Sequence, residues 1–303
     1  MSIPSVTDLH PGRLLAIVNP TAARGGAARR LKELIAIYRE TGARVDITQT
    51  PATGEAVRLA REAVATEGYT RVIAVGGDGT VHEVVNGVLG SDAELAIVPL
   101  GSANDFAHAL GLRDWRAAAR LAVSGKARPV DIAIANGRAF ANCVGAGVDA
   151  AGARVLETHK RIVGPLAYLT AAIQTLAVYR PRPLRVHVDG ETIIGPHLLV
   201  VAANGERFGK GMRIAPGARI DDGVLDLCII GNTTLAEGIV LLARVYSGTH
   251  VTRPKVRLLK VREVVIEQER SLPVQFDGEP AQAERLEIRC LPGALPVVAP
   301  APA

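Results

Sequence analysis

Aromatic residues make up only 3% of this 303-residue chain, with a single tryptophan. Single-stranded nucleic acid is commonly bound by stacking its bases on aromatic side chains, so this scarcity leaves little surface for that mode. The net charge of +5 is mildly basic, which favours attraction to nucleotides or anionic surfaces but is weak support for nucleic-acid binding. We therefore expect an aliphatic core and no nucleic-acid partner.

Cysteine and long apolar runs are also scarce. Cys143, Cys228 and Cys290 are odd in number and widely spaced, which predicts buried thiols in a reducing compartment. The first residues do not combine a charged segment with an apolar run, so no signal peptide is predicted. The longest apolar region, 166–179, contains Gln174 and is too short to span a bilayer. We expect a soluble, cytoplasmic protein, with peripheral contact at the inner face of the membrane as a further option.

The first 128 residues alternate predicted strands with predicted helices. Such alternation gives a parallel sheet covered by helices, the three-layer α/β class, whose binding loops lie at the carboxyl ends of the strands. The loops at 19–26, 76–80 and 101–105 should therefore meet at one edge of the sheet. The predicted strands are 14–18, 44–48, 72–75 and 95–100, and the predicted helices are 31–38, 53–66 and 81–89.

The pattern changes in residues 129–285, where short strands are separated by tight turns. Asn136-Gly137 and Asp189-Gly190 are strong hairpin signals, and the whole pattern predicts an antiparallel β-sandwich domain. The tail after Leu295 is apolar and rich in proline, and we expect the segment 286–303 to pack back on the N-terminal domain. The predicted strands are 130–134, 184–188, 198–203, 224–230, 256–266 and 274–276, and the predicted helices are 151–179, with a break at Gly164-Pro165, and 234–246.

A glycine-rich turn between a buried strand and a helix organises the first domain. Its sequence is Gly76-Gly77-Asp78-Gly79-Thr80, and the amides at such a helix start point toward a phosphate that glycine allows to approach closely. Asp78 would repel bare phosphate, so it suggests a Mg²⁺-nucleotide instead. A tight turn with a solvated aspartate is an equally weighted alternative. The chain has no Gly-x4-Gly-Lys-Ser/Thr sequence, which excludes a P-loop and leaves a metal ion to screen most of the phosphate charge.

Two further loops of the first domain have both a structural and a functional interpretation. Ser102 lies where a helix begins and is either an N-cap or a nucleotide contact. Asp105, in the same helix start, is either a partner of the helix dipole or part of an acidic cluster. The Asn19-Pro20-Thr21 loop is either an ordinary proline turn or a set of hydrogen-bonding groups for phosphate or base.

The second domain contains two acidic turns with the same ambiguity. Asp221-Asp222-Gly223 is either a simple turn or a hard-cation site that combines an aspartate with backbone carbonyl groups. Asp277-Gly278-Glu279 is either a solvated hairpin or a turn that holds Glu279 as a general base for a substrate hydroxyl.

Taken together, and in this order, these motifs resemble the diacylglycerol kinase catalytic-domain family, which includes sphingosine and ceramide kinases and soluble bacterial lipid kinases. The resemblance implies a nucleotide domain like that of NAD kinases and phosphofructokinases, joined to a β-sandwich domain, with ATP and lipid meeting in the cleft between them. It implies transfer of the γ-phosphate of ATP to a lipid hydroxyl. The matching motifs are Asn19-Pro20, 76–80, 101–107, Gly145-Ala146-Gly147-Val148-Asp149-Ala150, Ile214-Ala215-Pro216 with 221–223, and 277–279.

The resemblance also assigns roles to individual residues. Glu279 is the implied general base, and Asp78, Asp105 and Asp131 form an implied acidic network for catalytic Mg²⁺. A second, structural metal site would use the Asp222 side chain with the main-chain oxygens of Arg219 and Val224. The implied ATP-binding set is Asn19, Pro20, Thr21, Ala22, Ala23, Thr50, Gly76, Gly77, Asp78, Gly79, Thr80, Glu83 and Ser102.

Several alternatives remain open at the level of sequence. The first loop continues as 21–25 without the Ser-Gly or Lys usual in the family, Ser102 replaces the commoner Thr, and 208–211 has lost one glycine. A soluble-metabolite kinase of the NAD kinase type and a non-catalytic nucleotide or lipid carrier are the competing functions. The basic residues Arg180, Arg182 and Arg185, with those of 253–262, either face an anionic membrane that holds the lipid substrate or line a solvated surface. A homodimer is one option for the oligomeric state.

Overall fold

The computed structural model describes residues 12–152, 165–209 and 211–301. The chain forms two compact units, one of Met1–Ile132 with Pro292–Ala303 and one of Ala133–Leu291. Both boundaries fall inside continuous strands, Ala127–Ala135 and Glu279–Val298. No change of composition therefore marks the boundaries in the sequence.

The first unit contains a parallel sheet with the strand order β4-β3-β1-β2. Near the end of the chain, Val297 pairs in parallel with Leu95 of β4. The predicted alternation of strands and helices is confirmed. The elements are β1 (Arg13–Val18), α1 (Ala22–Thr41), β2 (Val45–Gln49), α2 (Glu55–Ala65), β3 (Tyr69–Gly76), α3 (Asp78–Val88), β4 (Glu94–Pro99), α4 (Asp105–Ala109) and α5 (Trp115–Ser124).

Strands β3 and β4 are almost continuous apolar runs because the residues on both of their faces are buried. One helix of this unit, α5, was not predicted from the sequence. Its buried face consists largely of alanine, which gives a weak apolar signal, and Asp114 caps its start by accepting a hydrogen bond from the Ala117 amide at 2.8 Å.

The second unit is rich in antiparallel strands, which pair in the order β11-β10-β9-β7-β12-β13, while β8 pairs with both β9 and β12. Its elements, two of which continue into the first unit, are β5 (Ala127–Ala135), β6 (Arg138–Phe140), β7 (Cys143–Gly147), α6 (Pro165–Val178), β8 (Arg182–Val188), β9 (Glu191–Ala203), β10 (Leu225–Gly231), α7 (Leu235–Val245), β11 (Val256–Val261), β12 (Glu263–Phe276) and β13 (Glu279–Val298).

Local signals predicted the hairpins and several strands of the second unit, but not β7 or β13. Both hairpins are confirmed, and Asn136 and Asp189 adopt the left-handed backbone that their turns require. The prediction of one strand over 256–266 is wrong, because β11 ends at Val261 and β12 begins at Glu263. The start of the predicted helix 151–179 falls largely on residues outside those described, and α6 occupies its last part.

The three cysteines are buried, as predicted, and none of them forms a disulfide bond. Burial raises the pKa of the Cys228 thiol to about 12, so this side chain behaves as a small apolar group. None of the helices in the described part of the chain is long and apolar enough to cross a membrane.

Candidate functional site

The loops that follow β1, β3 and β4 contact one another in the first unit. The Asn19 amide donates to the Val75 carbonyl at 3.0 Å, and Asn19 Nδ2 donates to Thr80 Oγ1 at 3.1 Å. A Cβ atom on Gly101 would lie 2.3 Å from the Gly77 Cα, so only glycine allows these two turns to touch. The predicted meeting of the three loops at one sheet edge is confirmed.

The first of these loops is closed by the Asn19 side chain. Asn19 Oδ1 accepts hydrogen bonds from the Thr21 amide at 3.0 Å and from Thr21 Oγ1 at 2.8 Å. Ala23 and Arg24 then adopt left-handed backbone angles, with φ of 48° and 56°, before the regular part of α1. Thr50, which follows β2, joins the same edge through its amide, which donates to the Val18 carbonyl at 2.9 Å.

Asp78 begins α3 and connects it to the loop that follows β4. Its Oδ2 accepts from the Asn104 amide at 2.8 Å and its Oδ1 from the Phe106 amide at 3.3 Å. The carboxylate therefore binds the backbone at the start of α4, a favourable place for negative charge. The possible N-cap role of Ser102 is wrong, because the N-cap position belongs to Asn104 and Ser102 lies exposed two residues earlier.

The other two carboxylates of the predicted acidic network are buried. Asp105 lies in the first turn of α4, and Asp131 Oδ1 accepts from the Gly293 amide at 2.7 Å. Within the described residues, no group of three or more His, Cys, Asp or Glu side chains is placed to hold a metal ion. The network of Asp78, Asp105 and Asp131 stays a prediction.

Glu83 has a structural contact that its motif did not indicate. Its two carboxylate oxygens accept hydrogen bonds from the amides of Gly54 and Ala56, each at 2.9 Å. They thus provide acceptors for amides at the start of α2, which have none within the helix. The side chain is buried against that helix. The predicted contact of Glu83 with ATP is untested, and the geometry shows that this carboxylate joins α3 to α2.

In the second unit, Glu279 follows a rigid turn. Asp277 has a left-handed backbone, with φ of 48°, and its carboxylate accepts from the amides of Ala141, Asn142 and Cys143, each at 2.9 Å. Glu279 Oε2 in turn accepts from Arg138 Nη2 at 2.7 Å, and both side chains are about one-third exposed.

Two residues near this turn were missed by sequence reasoning. Arg138 packs its guanidinium over the Phe276 ring at 4.7 Å while it binds Glu279. Gln275 is buried and accepts from the Gly278 amide at 2.6 Å through Oε1, while its Nε2 donates to Asp149 Oδ2 at 3.1 Å. Gln275 lies two residues before Asp277, and the available signal was a polar residue between the apolar residues Val274 and Phe276.

Asp149 is the half-buried end of this hydrogen-bonded chain. Its Oδ1 is inaccessible and has no hydrogen-bond partner in the described part of the chain. Burial, partly offset by hydrogen bonds from backbone amides and Gln275, raises the pKa of Asp149 to about 6. The folded protein therefore binds a proton here more tightly than the unfolded chain does, and stability falls as pH rises from about 4 to about 6.

We expect Asp149→Asn to stabilise the protein at neutral pH because asparagine carries no charge to bury. The gain in unfolding free energy should be about 1–2 kcal/mol at pH 7.5, allowing for residual solvent contact, and smaller at pH 5, where the folded wild type already holds the proton. Thermal unfolding at both pH values measures the difference. A gain that is equal at the two pH values would contradict the burial of an ionised Asp149.

The predicted structural metal site contains an internal cation. Asp222 Oδ2 pairs with Lys260 Nζ at 2.9 Å, and the same ammonium group pairs with buried Asp226 at 2.8 Å. Asp222 Oδ1 accepts from the Val224 amide at 3.3 Å. In this arrangement a divalent ion would have to displace Lys260. The metal site at Asp222, with the Arg219 and Val224 oxygens, stays a prediction.

Replacing Lys260 by methionine tests this arrangement. We expect Mg²⁺ or Ca²⁺ to raise the unfolding temperature of Lys260→Met more than that of the wild type, because the variant leaves Asp222 and Asp226 without their cation. Thermal unfolding with and without each ion measures the shift, and Arg257→Met on the same strand is the control. A larger shift in the wild type would show that the metal ion, and not Lys260, normally occupies the site.

Comparison with known proteins agrees with these features. A model of the diacylglycerol kinase catalytic domain matches residues 13–135, and a model of the YegS C-terminal NAD kinase beta sandwich-like domain matches residues 142–299. The class of protein that this fold and these motifs define is the lipid kinase. The chain belongs to the diacylglycerol kinase and YegS-like lipid kinase family, and the predicted resemblance is confirmed.

Individual relatives match along most of their length. The chain is 31% identical to a diacylglycerol kinase of Bacillus subtilis strain 168, over 88% of this chain and 89% of the relative. It is 35% identical to a probable YegS-like lipid kinase of Chromohalobacter salexigens, over 96% and 94%. A crystal structure of a putative diacylglycerol kinase from Bacillus anthracis str. Sterne superposes with a TM-score of 0.79 at 26% identity, covering 96% of this chain and 98% of that one.

Proposed function

We propose that this kinase transfers the γ-phosphate of ATP to a hydroxyl group of a lipid such as diacylglycerol. The observation that carries the proposal is the construction of the turn before Glu279. Three amides hold Asp277, and Arg138 holds the Glu279 carboxylate, so an acidic side chain is kept in one orientation while remaining partly exposed. An oriented, accessible carboxylate suits a general base that takes a proton from an alcohol.

The nucleotide side of the reaction is assigned to the first unit. Glycine-lined turns and the amides at the start of α3 suit the phosphates of ATP, since helix starts and closely approachable backbone bind anions. Asn19 keeps the first loop against this helix start through its bond to Thr80. The relatives named diacylglycerol kinase support the assignment of ATP as the phosphate donor.

Magnesium is part of the proposal as the partner of ATP. Kinase sites hold Mg²⁺ through one or two carboxylates together with the phosphates of the substrate, so a preformed protein cage is not required. Asp78 supplies hard oxygen atoms at the start of α3, and its bonds to Asn104 and Phe106 fix their direction. A bound Mg²⁺ would offset charge on the phosphate oxygens during transfer.

The role of the protein's own residues is positioning and proton transfer. Glu279 accepts the proton of the acceptor hydroxyl as its oxygen forms a bond to the γ-phosphorus, and the bond from that phosphorus to the bridging oxygen of ADP breaks. A loose phosphoryl transition state needs little covalent help, so orientation and electrostatics supply most of the acceleration.

Incubating the protein with γ-labelled ATP, Mg²⁺ and a panel of acceptors tests the proposal. The panel contains diacylglycerol, a sphingoid base, phosphatidylglycerol and NAD, and thin-layer chromatography separates the products. We expect label in a lipid product. Label in NADP alone would replace the lipid by a soluble metabolite, and ATP binding without any transfer would favour a non-catalytic carrier.

A further inference from the structure

Helix α7 exposes an apolar face, which is unusual for a helix on a protein surface. Its inner face packs into the second unit through buried Gly238, Leu241 and Val245. At about 100° per residue, three large side chains fall on one line on a different face. These are Leu235 and Ile239 and, at the C-cap, Tyr246, which are 48%, 39% and 42% exposed.

The residues beside this line are apolar as well. Ala236, Val240 and Ala243 are exposed and continue the apolar surface around the helix. The two charged residues of the helix, Glu237 and Arg244, lie about 20° apart, together on one edge of it. The rest of the exposed surface of α7, from that edge around to the buried face, therefore contains no charged residue. A solvated helix is expected to have a polar outer face instead.

The end of the neighbouring helix extends the same surface. Gly238 lets α7 approach α6 closely, since a Cβ atom there would lie 3.2 Å from Leu176 Cδ2. Val178, at the end of α6, is 75% exposed. We call Val178, Leu235, Ile239, Val240 and Tyr246 the α7 face. Among the residues whose side chains the structure describes, a set that leaves out 165–171 and 272, only Ile194 is a further large, exposed apolar side chain outside it.

Helix α7 lies in a basic stretch of the sequence, one lysine of which contacts the helix. The segment 234–257 contains four basic residues and one acidic residue, a formal charge of +3 with histidine neutral. The acidic one, Glu237, is paired with Lys255 at 2.8 Å. Arg244, Arg253 and Arg257 are exposed. An apolar arc with cations at its edge is the pattern of a helix that lies in the interface of an anionic membrane.

We propose that the α7 face docks the enzyme on an anionic lipid bilayer, with the apolar side chains among the acyl-chain ends and the basic residues at the head groups. The inference rests on the proposed function, because a lipid acceptor with long chains resides in such a bilayer. A second copy of the chain is the other occupant to consider. A twofold contact through this face would bring the basic residues of the two copies together, whereas an anionic bilayer neutralises them.

Vesicle binding by Ile239→Glu tests the docking surface. The variant places a charge on the exposed line of α7, and the matched control is Ile194→Glu on β9, which is equally apolar and 68% exposed. We expect the α7 variant to bind phosphatidylcholine–phosphatidylglycerol vesicles at least about tenfold more weakly than the wild type, and the control to bind like the wild type. Equal losses in the two variants, or none, would overturn the proposal.

Replacing Arg253 by glutamine tests whether the basic residues contribute to binding of anionic vesicles. Each basic residue near an anionic surface contributes about fivefold to binding, so this variant should lose about that factor on vesicles that contain phosphatidylglycerol and nothing on pure phosphatidylcholine. Light scattering with size-exclusion chromatography then follows the oligomeric state of Ile239→Glu. Dissociation of a wild-type dimer by this substitution, with vesicle binding retained, would assign the face to a second copy instead.

A water-soluble acceptor separates failure of this inference from failure of the proposed function. On short-chain diacylglycerol below its critical micelle concentration, Ile239→Glu should transfer phosphate at the wild-type rate, because no docking is needed. Its rate on diacylglycerol in vesicles should fall with its binding. Absence of lipid phosphorylation in the wild type would remove the proposed function, while vesicle binding that depends on Ile239 would still establish the surface.

Discussion

Replacing Glu279 by glutamine is expected to lower the rate of phosphate transfer by about 10²–10⁴-fold, the usual contribution of a positioned general base. The glutamine amide matches the carboxylate in size but does not accept the proton of the acceptor hydroxyl. Binding of ATP and the unfolding temperature should change little, because Glu279 is about one-third exposed and its pairing with Arg138 is partly solvated. Single-turnover transfer of labelled phosphate to diacylglycerol measures the loss.

The matched control is Glu284→Gln, the same change on an exposed residue of the same strand. This variant should turn over like the wild type. Wild-type transfer by Glu279→Gln would remove the residue from the mechanism. A loss accompanied by a lower unfolding temperature would indicate that the carboxylate is needed for the fold of the turn rather than for proton transfer.

Replacing Asp277 by alanine is expected to destabilise the protein by at least about 4 kcal/mol, the largest effect on stability that we predict. The change removes the acceptor of three backbone amides and leaves alanine with a left-handed backbone. Each buried donor that loses its partner costs about 1–3 kcal/mol, and the strained backbone adds about 1 kcal/mol. Urea unfolding followed by far-UV circular dichroism measures the change.

Asp277→Asn separates the two causes. Asparagine tolerates the left-handed backbone and keeps one acceptor oxygen, so this variant should lose roughly half as much stability as Asp277→Ala. Fluorescence of Trp115, the single tryptophan, reports on the first unit and shows whether its core stays folded at low urea. An unchanged unfolding midpoint in Asp277→Ala would mean that water replaces the carboxylate at no cost.

The family, the class of each unit and the main catalytic candidate were available from local sequence signals. Parallel strands were identified as apolar runs followed by helical spacing, and hairpins by Asn136-Gly137 and Asp189-Gly190. The rule that binding loops lie at the carboxyl ends of parallel strands correctly predicted that the loops after β1, β3 and β4 meet. Glu279 was predicted as the general base because its motif is short and contiguous, and this role stays a prediction.

The signals failed where a local pattern had two structural outcomes. A run of alternating residues over 256–266 does not show that one strand ends at Val261 and another begins two residues later. Ser102 has the chemistry of an N-cap, but Asn104 takes the N-cap position and the Asp78 carboxylate accepts from the amides of Asn104 and Phe106. In the second case the hydrogen bonds come from Asp78, which lies 26 and 28 residues away in the chain.

The sequence by itself determined most of the secondary elements and pointed to the motifs that are candidates for chemistry, because hydrophobic period, turn residues and contiguous motifs are local properties. The tertiary structure alone decided the partners of the charged groups: Glu83 with the start of α2, Lys260 with Asp222, Arg138 with Glu279 and Asp277 with the amides of 141–143. These partners are 29, 38, 141 and 134 to 136 residues apart. The tertiary fold, including the register of the strands, brings such groups together. A contact between residues so far apart leaves no periodic pattern in the sequence, so it could not be predicted from one.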